Sequence, residues 1–347
     1  MAAENEPLAR AKVLPRGAGG ADAHTVYVFG LEVTGLPGLP ASPDPPRAGS
    51  PRATALRTVK AAEMRERWQP RHARRLIDRR APDGSLVLAV DEDPAIGYRI
   101  DAPEVGVHLV SADGTEVFLP ERHGPDWFWQ RLLFAQTLPV AATLQGLALF
   151  HASAVRIGNH AVGVSAPSGA GKSSTATHLI AQGAEFFTDD VLALDVAQGS
   201  VIAFAGPEFS SIEEHEIRAV EPSRRESLGP LLGESSKQHR RPALSATCLP
   251  LGALYLLERD EQVGEVQLDP LDRSGTATLL ASAFIPHLST EGRLVRHLEL
   301  CGQMATAGKI LRVRVPLRAS ATAVAKALMA DSRRRLSTHG QPLGASN

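Results

Sequence analysis

Residues 165–174 read SAPSGAGKSS, and the fold turns on whether this stretch wraps a phosphate or is only a small-residue turn ahead of a helix. The phosphate-loop pattern G-x-x-x-x-G-K-[ST] is met at Gly171, Lys172 and Ser173, while Ala166 stands where the pattern has its first glycine. A G-K-[ST] triplet alone has roughly a 20% chance of occurring in a chain this long, so its surroundings decide. The apolar run 161–165 precedes it, and an amphipathic segment with Ala176, Leu179 and Ile180 at i, i+3, i+4 follows, stopped by Gly183. That strand–loop–helix setting predicts that Ala166, Pro167, Ser168, Gly169, Ala170, Gly171, Lys172, Ser173 and Ser174 cradle the phosphates of ATP.

The residue types suit that chemistry. Glycines let consecutive backbone N–H groups converge on phosphate oxygens, and the positive end of the following helix points at the same place. Lys172 would neutralise the β/γ oxygens and Ser173 would ligate Mg²⁺. Ala166 is tolerated there at negative φ; at positive φ it would cost about 1–2 kcal/mol.

Two further pieces accompany the loop. Thr188, Asp189 and Asp190 close the strand after the loop helix, so a carboxylate is expected at the edge where the phosphates lie, where it can hold Mg²⁺ or accept a hydroxyl proton. The plain alternative is a solvated turn. His151 ends the apolar run LALF fifteen residues before Ala166; a lone histidine in such a setting is more often a satisfied core residue than a site residue.

Working outward, the chain separates into a β-rich part and an α/β part. Residues 1–23 are small and polar and read as disordered, 24–125 as a β-rich domain, 126–146 as a connecting helix, 147–332 as an α/β (α+β) layered domain, and 333–347 as a flexible tail. Residues 35–52 are packed with Pro and Gly, as a loop or disordered insert. Residues 60–80 hold eight Lys or Arg against three acids and read as a solvated basic arm. Asp113-Gly114 sits between VHLVS and TEVFL, a hairpin signal.

The 347 residues are 43% hydrophobic and 22% charged, with a formal net charge of −1, which argues against a global attraction to nucleic acid or anionic lipid. Cys248 and Cys301 have neither disulfide-framework nor zinc spacing. The most apolar stretch, 138–150, is too short and too broken to span a bilayer, and residues 1–10 carry no apolar signal region. The expected location is cytoplasmic, with no nucleic-acid or membrane partner.

HASAV, APSGAGKSS and TDDVLALD, in that order and spacing, together resemble the catalytic domain of HPr kinase/phosphorylase and its stand-alone relatives, over roughly residues 147–215. The resemblance implies a phosphoenolpyruvate-carboxykinase-like phosphate-loop fold with a mixed sheet, ATP and Mg²⁺ as cofactors, and transfer to a hydroxyl of a protein, peptide or small alcohol. It implies Asp190 as base, with His151 and Lys172 beside it, Ser173 and Asp189 at the metal, and an oligomeric assembly. Similar stand-alone proteins are tailoring kinases for ribosomally made peptides such as lasso peptides. The family's glutamate-bearing metal segment has no clean counterpart; Glu213, Glu214 and Glu216 lie nearby, and Glu214 is taken as the metal ligand. Lys237, Arg240 and Arg241 either clamp phosphate or belong to a surface loop. The alternative function is a nucleotide-binding regulator with reduced catalysis.

Overall fold

The computed structural model describes residues 24–121, 126–167, 169–272, 279, 282–288 and 290–338. The disorder expected at 1–23, the tail beyond 338 and Ser168 of the loop lie outside the described residues. The architecture is mixed α/β, with several sheets.

The β-rich part forms an eight-stranded sheet. Its strands are β1 (Val26–Val28), β2 (Leu31–Thr34), β3 (Arg52–Val59), β4 (Arg74–Arg80), β5 (Leu86–Asp93), β6 (Gly97–Ala102), β7 (Gly106–Ser111) and β8 (Glu116–Pro120), in the order β1-β2-β3-β8-β7-β6-β5-β4. β3 is parallel to both β2 and β8; the remaining pairs are antiparallel. The hairpin expected at Asp113-Gly114 joins β7 to β8, with the Asp113 carboxylate accepting from Ser111 Oγ, Thr115 N–H and Thr115 Oγ.

Of the two readings of the Pro/Gly stretch 35–52, the structure shows the loop, and it is a packed one that buries Leu36, Leu39 and Ala41 in the core. One expectation is corrected here. The basic segment 60–80 is not a solvated arm: it forms the helix Ala61–Arg67 and the edge strand β4, because Arg74 and Arg75 meet Glu92 and Asp91 across the β4–β5 pair. Charged side chains on an exposed edge also discourage further strand pairing.

The connecting helix runs as Asp126–Leu132, a wide π turn Leu133–Thr137, and Leu138–Leu144. Pro139 supplies no backbone N–H, and the wide turn lies directly before it.

The second large sheet carries β9 (Ala148–Ile157), β10 (His160–Ser165), β12 (Val191–Ala197), β13 (Ser200–Phe204), β17 (Cys248–Asp260), β18 (Gln267–Pro270) and β19 (Ile310–Pro316) in the order β10-β9-β12-β13-β17-β19-β18. β11 (Glu185–Thr188) also pairs with β9, and β10 runs parallel to β17. Alternation along β9 sorts its side chains. Val155 joins the helix Lys172–Ala181 and the C-terminal helix Ala321–Thr338 through Leu179, Val324 and Leu328, while Phe150, Ala152 and Ala154 join the helix Glu291–Thr306 through Leu300 and Met304. Each such fully buried Leu or Val contributes about 1.5–3 kcal/mol, and the layering follows from covering both faces.

A three-stranded antiparallel sheet, β14 (Ser210–Ile212), β16 (Gln238–Arg240) and β15 (Leu231–Glu234), completes the fold. The tail expected from 333 instead continues the last helix to Thr338. Arg334 and Arg335 pair with the buried Asp331, which also accepts from Tyr255 Oη, so this turn is tied down. No helix among the described residues is long and apolar enough to cross a membrane.

Candidate active site

The loop leaves β10 at Ser165 and enters the helix at Lys172, the strand–loop–helix order the sequence predicts. Gly169 and Gly171 take φ of +77° and +101°, which a side chain would strain, and a Cβ on Gly169 would meet nothing within 4 Å. Their glycines thus serve a backbone that curls around open space. Ala166 is buried at 8% exposure in the core and is not among the positive-φ residues, so the missing glycine costs no strain.

Four strands meet at this edge. Val191 of β12 stands opposite His151 of β9, and Ser165 of β10 stands opposite Ala152, so His151, the loop and the Asp189–Asp190 turn are neighbours. The turn is tight: Val191 N–H donates to the Asp189 carbonyl at 2.8 Å, and Asp190 between them takes φ +64°. A non-glycine residue held this way stores about 1–3 kcal/mol, a cost met where geometry is over-determined by its surroundings. Thr188 Oγ donates to the Val191 carbonyl at 2.6 Å and closes the turn.

Asp189 is the hub. Its Oδ1 accepts from Ser153 Oγ (2.7 Å), Ser173 Oγ (3.1 Å) and the Asp190 N–H (3.0 Å); its Oδ2 accepts from Ser210 Oγ and the Ser211 N–H, both at 3.1 Å. This carboxylate therefore ties β9, the loop helix, its own turn and β14 together.

Asp190 has the opposite character. Its side chain is half-exposed and meets Lys172 Nζ at 2.7 Å, and that lysine side chain is only 8% exposed. Burial pushes the Asp190 carboxyl up, but Lys172 outweighs it by charge and hydrogen bond, and the net effect lowers it. The His151 Nδ1–H donates to the Asp190 carbonyl at 3.2 Å, and the ring stacks on Phe284 at 5.7 Å. Burial first, then the Lys172 charge, lowers the His151 pKa, so the neutral ring is favoured with Nε2 as the acceptor.

The structure brings His151, Gly169, Ala170, Gly171, Lys172, Ser173, Asp189 and Asp190 together, with Ala166, Pro167 and Ser174 on the same loop and helix start. It does not bring Glu214 to them: that carboxylate is exposed and paired with Arg218, while Glu213 pairs with Lys237 and Glu216 with buried His178. Lys237, Arg240 and Arg241 flank or lie on strand β16 and not on a free loop. Arg240 is held by the Gly229 carbonyl and Gln238, and Arg241 by Glu208; the Lys237 charge reaches Asp190 and helps hold its carboxyl low.

Sequence reasoning missed Arg259. It lies near the end of β17, beside β10, and its Nη2 is 3.7 Å from where a Cβ on Gly171 would sit, while Nη1 donates to the Pro316 and Ala319 carbonyls. The signal was the parallel pairing of Ser165 with Leu256, which carries residue 259 to the level of the loop. Ser153 and Ser210 were missed too, because nothing local to either residue marks it as a ligand of Asp189.

The residues fit a magnesium nucleotide. The positive-φ glycines shape an open cradle, a buried lysine points into it, and a hydroxyl and a carboxylate, Ser173 and Asp189, stand in contact as hard oxygen donors. Among the described residues no group of three or more His, Cys, Asp or Glu forms a metal site alone, and a magnesium ion at such a loop ordinarily takes its remaining ligands from phosphate and water.

No family model and no curated protein matches the chain. Among solved structures it is similar to the HPr(Ser) kinase/phosphatase from Coxiella burnetii, with a TM-score of 0.31 and 11% identity over 55% of this chain and 93% of that one. At that TM-score the likeness is weak and carries no argument; the geometry of the site does.

Proposed function

We propose that the protein is an ATP-dependent, Mg²⁺-requiring kinase that transfers the γ-phosphate to a hydroxyl, on a Ser or Thr of a protein or peptide or on a small alcohol. The observation that carries this reading is the Lys172–Asp190 pair, 2.7 Å apart at the mouth of the glycine loop, with Asp189 on Ser173 behind it.

Each side chain then has one task. Loop N–H groups and Lys172 hold phosphate oxygens and neutralise charge as it develops. Asp190, half-exposed at the turn, is free to exchange Lys172 for an incoming hydroxyl, accept its proton bond and orient it. His151 anchors the Asp190 carbonyl and keeps the turn in register with β9. Ser173 and Asp189 would hold Mg²⁺, which supplies charge neutralisation at the phosphate oxygens when bound.

Asp190→Asn tests the assignment. Nucleotide binding is expected to persist, while transfer of labelled γ-phosphate to an acceptor in cell extract falls by about 10²–10⁴-fold. Equal transfer by the variant removes Asp190 from the chemistry; binding without any labelled acceptor, in the unsubstituted protein, favours a nucleotide-binding regulator instead.

A further inference from the structure

Beside the start of β9, between it, the end of β12 and the helix Glu291–Thr306, lies a cavity of about 450 Å³. That volume is within the range of small-molecule sites, and its walls have the usual character of one: mostly apolar, with a few polar groups that converge. Leu149, Leu194, Ile285 and Leu300 supply the apolar part.

The polar groups are left over. Thr143 and His297 both line the cavity, and Thr143 Oγ1 and His297 Nε2 are buried atoms with no hydrogen-bond partner among the described residues. An unpaired buried polar atom costs about 1–3 kcal/mol, and two on residues that line one cavity are groups a ligand atom can complete after a small side-chain shift. The imidazole is held by stacking on Phe150 at 4.6 Å, and burial lowers its pKa, so it is neutral and can either donate or accept. Arg293 and Arg296 line the same walls; Arg293 is already engaged by the Leu288 carbonyl, Tyr98 and Glu92, and the nearby acid Asp195 by Arg52 at 2.7 Å, while Glu299 also lines the cavity.

The cavity is joined to the phosphate site by one short strap. The Ser282 carbonyl accepts from the His151 N–H at 2.7 Å and the Phe284 N–H donates to the Leu149 carbonyl at 2.9 Å, so residues 282–284 take up the lane beside β9 where β10 stops. Alternation does the rest. Phe284 stacks on His151 on one side, while Ala283 and Ile285 wall the cavity on the other.

We infer that this cavity is a second binding site, for a small amphipathic carboxylate, and that its occupancy is felt at His151 through residues 282–285. The apolar body fills the space, and the carboxylate meets Arg296, His297 and Thr143. The inference concerns a different pocket from the loop and does not depend on the kinase reading.

The test uses the full chain and 4-phenylbutanoate, with the matched neutral alcohol as control. Calorimetry is expected to give one site for the carboxylate, weaker binding of the alcohol, and no competition by ATP. Arg296→Glu and His297→Phe should each weaken binding about tenfold, some 1.4 kcal/mol, with no loss of thermal stability; both changes leave the loop untouched. In histidine-labelled protein the ring signals of His151, assigned with His151→Gln, should shift on adding the carboxylate, and Phe284→Ala should remove the shift while binding remains. No binding, or binding unchanged in both Arg296→Glu and His297→Phe, overturns the site. Binding with the His151 signals unmoved overturns the coupling.

Discussion

Two histidines stand on either side of the Asp189–Asp190 turn, built in opposite ways. His239, on β16, is 1% exposed. Its Nδ1 pairs with Ser211 Oγ at 2.9 Å and its Nε2 with Ser235 Oγ at 3.0 Å, and its ring lies between Trp127 and Phe209 at 4.9 and 5.5 Å. Every polar atom is consumed and both faces are covered. His151 uses only Nδ1, on the Asp190 carbonyl, and one face, on Phe284. Among the described residues its Nε2 has no hydrogen-bond partner, and it sits beside a strained turn, a buried lysine and a half-exposed carboxylate. The difference separates a histidine that holds structure from one placed where chemistry can use it. Buried polar networks that are fully satisfied specify a packing, whereas unspent donors and charges at an open edge are available to a ligand.

The sharpest way to break that contrast is to remove a charge on one side and a ring on the other. Lys172→Ala should reduce transfer of labelled γ-phosphate by about 10³-fold or more, since it removes the cation facing the phosphates. His239→Gln, which can keep a bond to Ser211, should leave transfer within a few-fold. A comparable loss in both would mean that the three-stranded sheet belongs to the reacting centre and that the two regions are one.

Acid separates them next. Burial, then Arg131 and Lys237, lowers the His239 pKa to about 4. Between about pH 6.5 and 4 the unfolded chain binds the proton and the folded one does not, so this histidine contributes stability that is present above pH 6.5 and lost as pH falls. The loss is on the order of 3 kcal/mol for a shift of this size. His239→Gln should flatten the dependence of the melting midpoint on pH across that window, while His151→Gln, at a half-open site, should flatten it less. A larger flattening from His151→Gln would reverse the assignment of roles. His108, buried and lowered to about 3, titrates in both proteins and cancels in the comparison.

How much of this was readable beforehand follows the same division. The loop, the loop helix, the Asp pair and the β7–β8 hairpin were legible because each is a local pattern: glycines where φ must be positive, apolar spacing at 3.6 residues, a carboxylate at a strand tip. Arg259 was not, since it reaches the loop only through the parallel pairing of β10 with β17, nearly a hundred residues apart. Ser153 on β9 and Ser210 on β14 came to donate to Asp189 through contacts that span 36 and 21 residues of sequence. The basic segment 60–80 misled for a related reason: counting charges does not show that β4 would find Asp91 and Glu92 across a strand pair. Glu214 is drawn from the three glutamates near where the resemblance puts a metal-binding glutamate, but the helix Glu214–Ala219 pairs it with Arg218, one turn on.

The smallest perturbation bears on the residue where the loop departs from its pattern. Ala166 is buried against the core at negative φ, unlike Gly169 and Gly171, so the backbone asks nothing there that alanine cannot give. Ala166→Gly restores the glycine of the pattern yet should gain nothing in nucleotide affinity and lose about 0.5–1 kcal/mol of stability, because the unfolded chain gains freedom and the core loses a methyl group. Gly171→Ala, at φ +101°, should lose about 1–2 kcal/mol and weaken nucleotide binding as well. Denaturant titration and nucleotide calorimetry on the two variants give both numbers. If Ala166→Gly binds nucleotide about tenfold tighter instead, some 1.4 kcal/mol, then alanine distorts the cradle, and the loop owes its shape to a compromise at its first residue as much as to its two glycines.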